Sequence, residues 1–170
     1  MPAQSYAHTE PVQSQPPAGG KYVVADIGGT HARFAMYSPA ESGTVQLHEH
    51  RRYLCKNYSA LSEAIEAYLD EAGGGVDGAC ISIAAPVDGD HIKMTNLDWS
   101  FSVSDYRQFL GFETLLMIND GAAAALATTR VESSQLENIK PGTVEAHGSR
   151  LNLIPGTGFG LGCIVPHDNG

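Results

Sequence analysis

Apolar residues along this chain follow two rhythms, and their alternation lays out the elements. Tyr22 to Ala25 form a short apolar run, and Ala32, Phe34 and Met36 then recur with a period of two. That pattern predicts two half-buried strands joined by the turn Asp26-Ile27-Gly28-Gly29-Thr30. VQLHEHRRYL, residues 45–54, reads as a further strand with one polar face, on which His48 and His50 would lie together. In SALSEAIEAYLDEAGGG the rhythm changes: Leu61, Ala64, Ile65, Tyr68 and Leu69 recur at helical spacing. Ser59 is placed to cap that helix and Gly73 to close it.

GACISIAAP, residues 78–86, is a continuous apolar run between turn residues, which predicts a strand buried on both faces. A short strand is expected over His91–Thr95 and a brief helix over Ser104–Leu110, stopped by Gly111. TLLMIND predicts another buried strand, whose carboxyl end delivers Asn119 and Asp120 into the alanine-rich helix GAAAALATTR. RLNLIPGTGFGLGCIVP repeats the opening plan of apolar run, glycine-rich turn and apolar run. Strands mixed with helices in this order imply an α/β lobe.

Composition alters this picture mainly by exclusion. The 170 residues, 42% hydrophobic, suffice for one ordinary domain or one lobe of a larger protein. Residues 1–20, rich in Pro, Gln, Ser and Gly, are expected to form a disordered tail, so the folded part begins near Lys21. No run approaches the roughly 20 apolar residues of a membrane span, and the start has no basic end followed by an apolar segment. The three cysteines, Cys55, Cys80 and Cys163, are far apart and read as small core residues in a reducing cytoplasm. A net charge of −9 with no Lys/Arg stripe argues against nucleic acid as a partner; Arg51-Arg52 alone is too short to count as a patch. An anionic ligand would need local help from backbone N–H groups, a helix N-terminus or a divalent cation.

Three stretches could supply that help. Gly28 and Gly29 allow backbone N–H groups to approach a phosphate, Thr30 adds a hydroxyl, and Asp26 is placed to hold a hydrated magnesium ion through its waters. The same residues would also suit an ordinary hairpin turn. At the second stretch, Asp120 can accept a proton from a substrate hydroxyl attacking phosphorus, with Asn119 able to meet sugar-like hydroxyls. A plain capping aspartate is the alternative there. The third stretch is the turn Gly156-Thr157-Gly158-Phe159-Gly160, which would grip a phosphate tail from another side or serve as a loop of small residues. Trp99 and Phe101 are expected to pack, and His48 with His50 lacks a third metal ligand at sensible spacing.

Taken in order, VADIGGTHARF, ISIAAPVDGD, MTNLDWSFS, GFETLLMINDGAAA and PGTGFGLG resemble the bacterial glucokinase family of the sugar kinase, Hsp70 and actin superfamily. The resemblance runs from about Lys21 to Val165. It implies a ribonuclease-H-like, actin-type lobe with a central mixed β-sheet flanked by helices. It also implies ATP and Mg2+ as cofactors, glucose as the acceptor, and a homodimer for the full-length protein. By the same likeness Ala25, Asp26, Ile27, Gly28, Gly29 and Thr30 form the first phosphate-binding element, and Gly156, Thr157 and Gly158 the second. Asp120 matches the catalytic base, while Asn119, Thr95, Asn96, Thr157 and Gly158 border the sugar.

The chain departs from the family pattern in having His31 where Asn is usual and Gly121 where an aromatic residue is common. It also stops before the segment that supplies further sugar ligands, so it reads as the amino-terminal half of such a kinase. A non-catalytic sugar-sensing regulator of the same fold is the competing reading, although neither a DNA-binding segment before the first motif nor a cysteine-rich zinc motif is visible. A different ATPase of the superfamily is a third.

Overall fold

The computed structural model describes residues 19–39, 45–143, 145, 148–155 and 159–166. Its centre is a five-stranded mixed sheet in the order β3-β2-β1-β4-β7. The strands are β1 (Tyr22–Ile27), β2 (His31–Pro39), β3 (Val45–Leu54), β4 (Gly78–Ile83) and β7 (Thr114–Asn119). β1, β2 and β3 pair antiparallel, whereas β4 runs parallel to both β1 and β7. Two small sheets accompany it: β5 (His91–Lys93) with β6 (Ser100–Ser102), and β8 (Arg150–Pro155) with β9 (Phe159–Ile164). Helix α1 (Leu61–Ala72) links β3 to β4, α2 (Val103–Phe109) precedes β7, and α3 (Asp120–Ala127) follows it directly.

The period-two pattern sends Val23, Ala25 and Ile27 of β1, Ala32, Phe34 and Met36 of β2, and Ala79, Ile81 and Ile83 of β4 to one face. There they meet Leu61, Ala64, Ile65 and Tyr68 of α1 in a single buried cluster. Tyr68 stacks on Phe34 at 5.1 Å between ring centroids and donates its hydroxyl to the Glu49 carbonyl at 3.1 Å. Phe101, stacked on Tyr106 of α2 at 4.4 Å, joins the same cluster with Trp99 and Ile92. Each fully buried isoleucine in such a core contributes about 2 kcal/mol of transfer free energy.

Helix α1 stops where Gly73 takes φ of 92°, as the sequence predicts. Its start differs in detail. Ala60 occupies the capping position without a side-chain bond, and Ser59, one residue earlier, donates its N–H and hydroxyl to Glu63 at 2.7 and 2.6 Å. Those two bonds hold the Glu63 carboxyl below its ordinary range.

Three expectations about burial and register are corrected. Cys55 is buried, but Cys80 and Cys163 are exposed; β4, which carries Cys80, is covered on one face only among the described residues, against the two expected. His48 and His50 do not share a face. A β-bulge, with Glu49 at φ of 52°, shifts the pairing between Phe34 and Met36, so His48 aligns with Met36 on the core side while His50 lines the opposite face beside Val24 and Ala35. No group of three or more metal-ligating side chains occurs among the described residues. Likewise no helix there is long and apolar enough to cross a membrane. Trp99 and Phe101 are buried, each 4% exposed, and pack as expected.

Candidate active site

Parallel pairing decides where the chemistry gathers. Ile27 aligns with Ile83, and Ile83 with Asn119, so β1, β4 and β7 end level with one another. The segments that leave those ends therefore emerge at one edge of the sheet, which is where open α/β sheets hold their ligands. β1 and β7 stand two strand spacings apart, about 10 Å. The first turn and Asp120 thus face each other across the end of β4.

The first turn is closed by Gly28 N–H donating to the His31 carbonyl at 3.0 Å. Neither Gly28 nor Gly29 adopts a left-handed φ, so their value here is space. A β-carbon on Gly29 would stand 3.0 Å from the Asn96 β-carbon. Hence the Thr95-Asn96 loop, exposed between β5 and β6, is brought against this turn. That loop is itself held by Met94 N–H donating to the Trp99 carbonyl at 3.0 Å. Beneath the turn, Cys55 N–H donates to the Thr30 carbonyl at 2.9 Å, and the Cys55 thiol, pushed up in pKa by burial, donates to the Gly28 carbonyl at 3.4 Å. Ala25 and Ile27 turn their side chains into the core, so only their backbone is available to a ligand.

Asp26 extends outward on the other face. One of its oxygens accepts from Arg33 at 2.6 Å, with both side chains about half exposed, at 51% and 55%. At such exposure the pair adds at most about 1 kcal/mol to stability. Sequence reading missed Arg33, because its place directly opposite Asp26 is set by the strand register. Arg52 is likewise Arg33's cross-strand neighbour and bonds His31 at 2.9 Å. Arg33 and Arg52 are thus neighbours across strands, whereas Arg51 is drawn to Glu49 and Glu71. Partial withdrawal from water, then Arg52 and Arg33, lower the His31 pKa below the ordinary imidazole range.

This depression has a testable sign. A folded chain that resists protonating His31 loses stability as pH falls below the ordinary imidazole pKa of about 6.5, since the unfolded chain then binds more protons. His31→Asn should flatten the drop in denaturant midpoint between neutral pH and mild acid. An unchanged drop would show that His31 is not its source.

At the opposite side of the edge, Asn119 rather than Asp120 caps α3. Asn119 Oδ1 accepts from Gly121 N–H at 3.0 Å and Ala122 N–H at 3.2 Å. Its Nδ2 donates to the Ala85 carbonyl and to Asp120 Oδ1, each at 3.1 Å. Those four bonds match the full capacity of the amide in this state. Asp120, the first helical residue, is exposed; its Oδ1 also accepts from Gly121 N–H at 2.8 Å, while Oδ2 has no partner among the described residues. The cap is therefore Asn119's work, and one Asp120 oxygen stays open to the edge. Ala85, whose carbonyl anchors Asn119, was not singled out from sequence because a backbone acceptor leaves no residue-type signal.

Gly156, Thr157 and Gly158 lie outside the described residues. The strands on either side are paired from Pro155–Phe159 to Arg150–Ile164, and the hairpin they form packs on α3.

The chain is similar to known proteins in both sequence and fold. The sequence pattern of the glucokinase family matches residues 23–170. The chain is 44% identical over 154 residues to the bifunctional protein glk of Paraburkholderia xenovorans, covering 89% of this chain and 23% of that protein. It is 38% identical over 141 residues to the glucokinase of Saccharophagus degradans, covering 82% of this chain and 44% of that one. Among solved structures, a glucokinase from an Antarctic psychrotroph superposes with a TM-score of 0.77 at 33% identity, over 88% of this chain and 48% of that one. The chain therefore spans a quarter to a half of the length of these relatives.

Proposed function

Because the chain belongs to the glucokinase family and shares its actin-like lobe, we propose that it is the amino-terminal lobe of an ATP-dependent kinase acting on the glucose 6-hydroxyl, with Asp120 as general base. The observation that carries this reading is the levelling of β1, β4 and β7, which brings the first glycine turn and an aspartate to one sheet edge, the aspartate with one oxygen unpartnered among the described residues. Asp120 Oδ2 would orient the sugar hydroxyl and take its proton as the oxygen attacks phosphorus. Thr95 and Asn96, beside the first turn, would border the sugar, and Asn119 would hold the base in place and border the sugar with it. Gly28, Gly29 and Thr30 would present backbone N–H groups and a hydroxyl to the donor's phosphates. Gly156, Thr157 and Gly158 would meet those phosphates from the second hairpin and also border the sugar.

Asp26 suits a hydrated magnesium ion. It is a lone half-exposed carboxylate with one oxygen outside its ion pair, and the described residues hold no cluster that could cage a metal. That donor set fits an ion retaining its waters and shared with phosphate oxygens. When bound, the ion offsets the charge of the phosphates. Arg33 and Arg52 would add positive charge at that edge of an otherwise acidic protein.

The test uses the chain lengthened at its carboxyl end, by its own downstream sequence or by the remaining part of the S. degradans glucokinase as a chimera. With ATP and magnesium this extended chain should release ADP only when glucose is present, in equal measure to glucose 6-phosphate. ADP release indifferent to sugar would instead support a general ATPase of the superfamily.

A further inference from the structure

The helix that carries Asp120 and strand β9 meet through bare backbone. A β-carbon built on Gly162 would fall on the carbonyl oxygen of Gly121 and lie 2.9 Å from the Ala125 β-carbon. One built on Gly121 would stand 3.1 Å from Asn119 Oδ1 and 3.2 Å from the Leu161 carbonyl oxygen. Both glycines are buried, and neither needs a left-handed φ. They are required for close approach of two backbones. An aromatic side chain at position 121 would have to push β9 away.

Gly121 is also the residue whose N–H both Asn119 Oδ1 and Asp120 Oδ1 accept. Whatever holds Gly121 therefore holds the carboxylate. We propose that Gly121 and Gly162 are positioning residues: their backbone contact sets where the Asp120 carboxylate stands relative to β9. The inference rests on the reading of Asp120 as the base and deepens it.

Gly162→Val and Gly162→Ala test the lock, first in the 170-residue chain by NMR. In the Val variant the Gly121 and Ala122 amide protons and the Asn119 side-chain amide protons should exchange roughly tenfold faster, while protection in α1 and β4 is unchanged. The Ala variant should fall between. In the extended chain, turnover per glucose-binding site, with sites counted by calorimetry, should drop roughly 10²-fold for the Val variant while KM for glucose stays within about twofold. A hairpin that loosens while the three groups of protons keep their protection overturns the proposal. So does faster exchange with turnover unaltered. Should the Val variant fail to fold, Gly121→Ala introduces a smaller intrusion at the same contact and is read the same way. If Asp120→Asn keeps its turnover, the base assignment falls; the exchange result then still decides whether the lock exists.

Discussion

Asp120→Asn in the extended chain should lower turnover about 10³-fold, the middle of the range for removing a positioned general base, and leave glucose binding within about twofold of the parent. The substitution is nearly isosteric, and an amide oxygen at Oδ1 can still accept the Gly121 N–H bond now made at 2.8 Å. What the amide lacks is a second oxygen able to take a proton. That second oxygen, Oδ2, has no partner among the described residues, so the change removes chemistry while sparing the helix start. Asp120→Ala would lose the contact with Asn119 as well and would confuse the two effects. Turnover that survives Asp120→Asn would refute the base; a protein that binds glucose with and without the substitution but never turns over would favour a sugar-sensing regulator. The readout is a coupled assay for sugar phosphate beside calorimetric titration with glucose.

How much of this was legible beforehand depended on whether a feature is local. The hairpin around Asp26–Thr30, helix α1 and the strand leading to Asn119 are announced by runs and periods within a dozen residues, and the structure has all of them. The β-bulge at Glu49 was not legible, because a glutamate at positive φ carries no signal of its own; it separated two histidines that simple alternation puts together. The Asp26–Arg33 pair and the Arg33–Arg52 neighbourhood depend on strand register, which a single sequence fixes poorly. Asn119 displaced Asp120 as the cap because the helix starts one residue earlier than its alanine run suggests. Gly121 and Gly162 did leave a trace. A glycine inside a helix pattern and another inside a strand pattern both point to close approach, though not to each other.

Cys80 failed differently, and the failure bears on the site. GACISIAAP reads as a strand buried on both faces because nearly every residue in it is apolar, yet Cys80 is exposed and Leu116, on the neighbouring strand, is 39% exposed. Parallel strands normally have both faces covered. The β8–β9 hairpin shows the same mismatch, with Leu151, Leu153, Phe159 and Leu161 all more than half exposed on the side away from α3. Paired residues Leu151–Cys163, Leu153–Leu161 and Pro155–Phe159 make that side one apolar face. A contiguous exposed apolar face of this kind calls for a partner.

The 170-residue chain by itself should therefore yield glucose 6-phosphate no faster than a protein-free control, whereas the extended chain turns over. The catalytic groups proposed for this site would act by placement. Holding a sugar hydroxyl and a phosphoryl group in line supplies effective molarities of about 10⁵ M or more, and that gain needs walls on both sides of the two reactants. The described residues supply one edge of one sheet, and the chain covers 44% of the S. degradans glucokinase and 48% of the Antarctic enzyme. The two apolar faces left exposed among the described residues bear independently on the same two-lobed proposal. A dye that fluoresces on apolar surface should bind the short chain strongly and the extended chain weakly, and the short chain should associate as its concentration rises. Measured together, the two readings separate the possible failures: dye binding lost on extension without any gain in turnover would mean that the added segment covers the lobe yet completes no kinase site. Steady phosphorylation of glucose by the short chain would show instead that this single lobe already encloses its substrates, and would overturn the two-lobed reading.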